Sequence, residues 1–115
     1  MENLNDYLTS EKQILNKDIT RNKLALVEVQ AKWSGGSHLM HLIINKVEEE
    51  FQNQINVLRI DFENHKDLLN QFGVDSAPAL VFISRGQVVE VIKETLSRKN
   101  LERLVYEIIK KQHIG

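Results

Sequence analysis

Six residues, Leu24 to Val29, read LALVEV. A strand with one wet face would alternate apolar and polar residues, and this run does not. It reads instead as a strand covered on both sides, which is the situation of a parallel or mixed sheet. Such a strand demands helices on either face, and the chain supplies them in alternation. Leu39, Ile43, Val47 and Phe51 recur at a spacing of four, with Met40 and Ile44 widening the stripe, and predict an amphipathic helix. NVLRIDF is a second strand, and HKDLLNQFG is a short helix that Gly73 is placed to end. ALVFIS and QVVEVIK are two strands joined at Arg85-Gly86, a hairpin signal. Leu101, Leu104, Val105 and Ile108 make a final amphipathic helix, capped by Ser97, or by Asn100 if it begins late. Ahead of the first strand, Ser10 to Gln13 has the form of a capping box and predicts a short helix over Ser10–Asn16, with Ile14 and Leu15 inward. The order α-β-α-β-α-β-β-α is that of an α/β domain. Its central mixed sheet starts parallel, ends in an antiparallel hairpin, and is flanked by helices on both faces.

A chain of 115 residues suits one domain, 1–115, with residues 1–9 expected as a disordered leading segment. At 42% hydrophobic residues it can bury a core without disulfides or metal. A net charge of -1 sets up no field that favours nucleic acid or acidic lipid, so neither is expected as a partner. MENLNDYLTSEK has no basic n-region and no apolar h-region, so no signal peptide is expected. No apolar run approaches the roughly 20 residues that a bilayer requires. The cytoplasm is the expected location. His38 and His41 stand three apart, a spacing seen in metal sites, yet no third ligand lies near in sequence. Solvated or satisfied histidines are expected, with no metal and no cofactor. There is no cysteine, which removes disulfides, thiolate nucleophiles and thiolate metal sites together.

One segment stands apart. AKWSGGSH, Ala31 to His38, places two serines around two glycines directly after the only tryptophan, at the entrance to a helix. Such a segment can be a helix cap, a backbone anion nest, or a reactive site that has lost its reactive atoms. An anion nest here would be poorly specific, because the loop itself holds no lysine.

The landmarks taken in order resemble the thioredoxin family. A β run ends in VEVQAKW, a W-x-G-x-x segment opens a helix, FGVDSAPALVF resembles the family's cis-proline segment, and SRGQVVEV resembles its closing hairpin. The resemblance runs from about Leu24 to Ile109 and implies a thioredoxin-like fold. In that family the tryptophan is followed by Cys-x-x-Cys. Here Ser34 and Ser37 stand at the two cysteine positions and Gly35-Gly36 fills the middle, so WSGGS looks like a disulfide-exchange site without sulfur. Exchange needs a thiolate to attack and a second thiol to resolve the mixed disulfide, and a serine hydroxyl does neither. Serine catalysis of another kind needs an adjacent base and an oriented third group. The expected role of Ser34 or Ser37 is to cap the helix, for roughly 0.5–2 kcal/mol over alanine.

The resemblance also implies roles beyond the serines. Glu28 falls where the family carries a buried acid beneath the dithiol, and Arg59 where it often has a basic partner. With no thiol to serve, an ion pair kept as structure is expected. Burial disfavours the charge and Arg59 favours it. We expect burial to dominate, so that Glu28→Gln would stabilise the protein. Pro78 is the only proline. The resemblance implies a cis Ala77–Pro78 bond facing the loop, with Ala77 offering its backbone to an extended peptide and Trp33 forming the other wall. The expected peptide-binding residues are therefore Trp33, Gly35, Gly36, Ala77 and Pro78, beside the vestigial positions Ser34, Ser37 and Glu28. The function implied is that of a redox-inactive thioredoxin-like protein, a homologue of protein disulfide oxidoreductases. It would bind a peptide or protein as a monomer or weak homodimer. Two alternatives stand beside it: an oxidoreductase whose two cysteines were mutated, and a structural or dimerisation module. Departures from the family at Gly36, Leu42, Ala79 and near Glu94 reach beyond sulfur and favour natural divergence.

Overall fold

The computed structural model describes residues 23–32 and 35–114. The helix expected at Ser10–Asn16, the segment 1–9, Trp33 and Ser34 lie outside the described residues. Within them the chain runs β1 (Leu24–Gln30), α1 (Gly35–Glu50), β2 (Ile55–Asp61), a 3-10 turn (Phe62–Asn64), α2 (Lys66–Gln71), β3 (Ala79–Ser84), β4 (Gln87–Ile92) and α3 (Arg98–Lys111). The sheet order is β2-β1-β3-β4. β1 pairs parallel with β2 and antiparallel with β3, and β3 pairs antiparallel with β4. This is the α/β thioredoxin-like architecture, with a mixed sheet between helices.

The continuous apolar runs become the two central strands. β1 and β3 are buried along nearly their whole length, as strands covered on both faces must be. Side chains alternate across a strand, and the core divides accordingly. Leu24, Leu26, Leu80 and Phe82 pack with Met40, Ile44 and Val47 of α1 and with Leu101, Val105, Ile108 and Ile109 of α3. Ala25, Val27, Val29, Ala79, Val81 and Ile83 pack on the opposite face with Leu68 and Leu69 of α2 and with Val74. Each fully buried leucine or isoleucine contributes roughly 1.5–3 kcal/mol by leaving water.

The inward stripe of α1 differs from the expected one. Ser37, Met40, Ile44 and Val47 are buried, whereas Leu39 is 50% exposed and Ile43 and Phe51 are only half-buried. The cause is geometric: an inward row follows steps of three and four, about 100° per residue, and a strict spacing of four drifts off the face. The final helix matches its reading, with the Ser97 hydroxyl accepting from the Asn100 N–H at 3.2 Å.

Helix ends and the hairpin follow their turn residues. Past α2, Gly73 has φ +83°, its N–H reaches the Asn70 carbonyl, and the Val74 N–H reaches the Leu69 carbonyl at 2.8 Å. That pair of bonds is a Schellman motif. α3 ends the same way with His113 in the left-handed region, and Ile114 closes onto Ile109. Arg85 and Gly86 both have positive φ, as a two-residue type I′ hairpin requires.

Candidate binding cleft

The even-numbered residues of β1 face α1. Leu24 and Leu26 lie in the apolar core, and two steps further the same row becomes Glu28 and then Gln30. Glu28 is 1% exposed. A buried carboxylate needs partners for both oxygens, and the neighbouring elements supply them. Glu28 stands directly opposite Arg59 in the parallel register, and Arg59 Nε donates to Glu28 Oε1 at 3.1 Å. Gln30 Nε2 donates to Glu28 Oε2 at 2.8 Å. His41 Nδ1, one layer out on α1, lies 3.4 Å from the same Oε2 and 3.0 Å from Gln30 Nε2. The far end of Arg59 turns to α1, donating to Asn45 Oδ1 at 2.6 Å and to Glu48 Oε1 at 3.2 Å. The Glu28–Arg59 pair expected from sequence is therefore present and embedded in a larger network.

Above this network lies an open cleft of about 400 Å³, lined by Gln30, Ala31, Lys32, Ser37, His38, His41 and Asp61. It sits where β1 and β2 end and α1 begins, outside the carboxyl ends of two adjacent parallel strands. Open α/β sheets place their ligand crevices there. Ser37 is the third residue of α1 and is 5% exposed. The cap expected of Ser34 lies outside the described residues, and what is seen of Ser37 is a bond of its hydroxyl. It accepts from the Ala31 N–H at 3.0 Å and so ties the start of α1 back to the end of β1. Gly35 is exposed, and a Cβ built on it would meet nothing within 4 Å, so glycine is not required there by space.

On the other side of β1, Val29 pairs with Ala79, which brings Pro78 to the end of β1. The Ala77–Pro78 bond is cis. Asp75 and Ser76 are exposed, Ala77 and Pro78 half-buried, and the ladders of the sheet begin only at Ala79. Glu28, Gly35, Gly36, Ser37, Ala77 and Pro78 thus gather at one end of the sheet. Gln30, His41 and Asp61 belong to the same end and were missed as site residues. Strand parity could have found two of them, since Gln30 shares a face with Glu28 and Asp61 with Arg59. Among the described residues no group of three or more His, Asp or Glu side chains is arranged to hold a metal ion. No helix there is long and apolar enough to cross a membrane.

Comparison with known proteins agrees with this geometry. The family profile described as Thioredoxin matches residues 6–107. Thioredoxin H4 of Arabidopsis thaliana is 29% identical over 88% of the chain and 80% of its own length. Chloroplastic thioredoxin Y1 of the same plant is 25% identical over 80% of the chain, and the chain spans only 54% of that longer relative. Among solved structures, a mutant thioredoxin from Halobacterium salinarum NRC-1 superposes with a TM-score of 0.72 at 23% identity, covering 85% of this chain and 82% of the other.

Proposed function

The chain belongs to the thioredoxin family, and from that premise we propose that it works without thiol–disulfide exchange, as a module that binds an extended peptide or protein segment. The family's general role is thiol–disulfide exchange. The sequence carries serine at both sulfur positions and no cysteine elsewhere, so neither the attacking nor the resolving thiolate exists. The observation that carries the proposal is Ser37. Its buried hydroxyl stands where the second thiol would be and accepts from the Ala31 N–H, a bond that needs no sulfur. What remains at this end of the sheet is binding equipment: the cleft, the first turn of α1, and backbone at Ala77–Pro78 beside the sheet ladders. Strand-like pairing with an extended segment uses main-chain groups and needs no sulfur. We place the activity in the cytoplasm, where a chain without disulfides has no need of an oxidising compartment.

Two assays test this reading. Purified protein should not reduce insulin disulfides above a buffer blank, and turnover in a preparation cleared of other thioredoxins would overturn the redox-inactive half. Selection of displayed random peptides on the purified chain should enrich binders beyond those taken by an unrelated protein of similar charge. Absence of enrichment would overturn the binding half.

A further inference from the structure

The contact between Gln30 and His41 has a chemical consequence for the cleft. Glu28 Oε2 can only accept, so the Gln30 group 2.8 Å from it must be the amide NH2 and not the amide oxygen. The same nitrogen lies 3.0 Å from His41 Nδ1. An amide nitrogen only donates, so the Nδ1 it faces is an acceptor and carries no proton. The alternative, an Nδ1–H donated straight to Glu28, would have to span 3.4 Å, longer than a good N–H···O bond. In neutral imidazole one nitrogen bears the proton. A bare Nδ1 therefore means an Nε2–H. The two nitrogens lie on opposite flanks of the ring, Nδ1 faces inward to Gln30 and Glu28, and the His41 side chain is 36% exposed in the cleft.

We infer that Gln30 is a positioning residue that holds neutral His41 with its proton on Nε2, so that the cleft presents His41 as a hydrogen-bond donor to an acceptor oxygen of a bound segment. The ligand group selected is a carbonyl or carboxamide oxygen. Lys32 and Asp61 bring one charge of each sign to the same lining, so the donor itself, and not a net charge, sets this preference for an acceptor oxygen. In this state His41 has no lone pair to offer in the cleft and is not a general base. The use of the donor rests on the peptide-binding reading above, but the tautomer can be measured with no peptide present.

Long-range proton–nitrogen correlation spectra of uniformly 15N-labelled full-length chain, recorded at alkaline pH, report which imidazole nitrogen is bare. The wild type should show His41 with bare Nδ1 and protonated Nε2. Gln30→Met keeps the length and removes the donor, so the bare-nitrogen resonance should move to Nε2 as Nδ1–H turns to Glu28. A wild-type His41 protonated on Nδ1 would overturn the inference, and so would a folded Gln30→Met protein with an unchanged tautomer. The wild-type arm holds even if the variant does not fold. A failed peptide selection with the expected tautomer would defeat the binding reading alone.

Discussion

The two sides of β1 differ in how they are built. Its odd residues, Ala25, Val27 and Val29, are apolar throughout and pack under α2. Its even residues begin apolar at Leu24 and Leu26 and end polar at Glu28 and Gln30. One side is packing from end to end. The other changes character halfway along, where α1 begins and a cleft opens. The position of that change along the strand decides where the cleft opens. A buried carboxylate in mid-sheet would be costly anywhere else. At the end of the strand it is reached by Arg59, Gln30 and His41.

The largest effect is expected on the apolar half of this face. Leu26→Ala removes a fully buried side chain between α1 and α3. It should cost about 2–5 kcal/mol in denaturant unfolding, through lost burial and the cavity left behind. Next comes the polar half. Glu28→Gln sets an amide NH2 against either the Gln30 donor or the Arg59 donor, whichever way it turns. We expect a loss of about 1–3 kcal/mol at neutral pH, opposite in sign to the sequence expectation. A glutamine variant more stable than wild type would restore that expectation. A smaller effect of opposite sign belongs to Ser84, on the same face at the far end of β3. It is buried, and its hydroxyl has no hydrogen-bond partner among the described residues. Ser84→Ala should gain about 1 kcal/mol by removing a desolvated hydroxyl; a loss in the same melts would mean that the hydroxyl is satisfied.

The smallest effect lies where α1 meets α3. Desolvation, followed by a hydrogen bond and charge repulsion from Glu102, pushes the Glu50 carboxyl up, while Arg98 pulls it down. A carboxyl raised in the folded state binds its proton more tightly there than in the unfolded chain. Its contribution is complete below the unfolded value and is lost as pH rises through the folded one. Glu50→Gln should therefore narrow the gap between stability in acid and at neutral pH. An unchanged gap would remove Glu50 from the account.

Much of this was legible in the residues. LALVEV and ALVFIS announce central strands by their unbroken apolarity, and Arg85-Gly86 and Gly73 announce their turns by the backbone angles they tolerate. Glu28 and Arg59 could be paired because the family resemblance aligned two strands. The orientation of α1 was not legible. Leu39 and Leu42 are as apolar as Met40 and Ile44, yet they are 50% and 51% exposed. Which of two overlapping stripes turns inward is decided by the sheet beneath, not by the helix itself. The polar network was only half legible. Nothing in the helix sequence marks Asn45, Glu48 and His41 as partners, and they become so only because Arg59 and Glu28 lie under them. The bond of Ser37 was not legible for a similar reason, since its hydroxyl accepts from Ala31, six residues back.

The central claim is that this end of the sheet binds an extended segment with no sulfur chemistry. Its most direct test is a backbone amide footprint of a peptide selected on the wild-type chain. Shifted resonances are expected at Gly35, Gly36, Ser37 and Ala77, with Gln30 and His41 following. Shifts confined to the exposed face of α3 or to the β4 edge, with the loop and Ala77 unmoved, would contradict it.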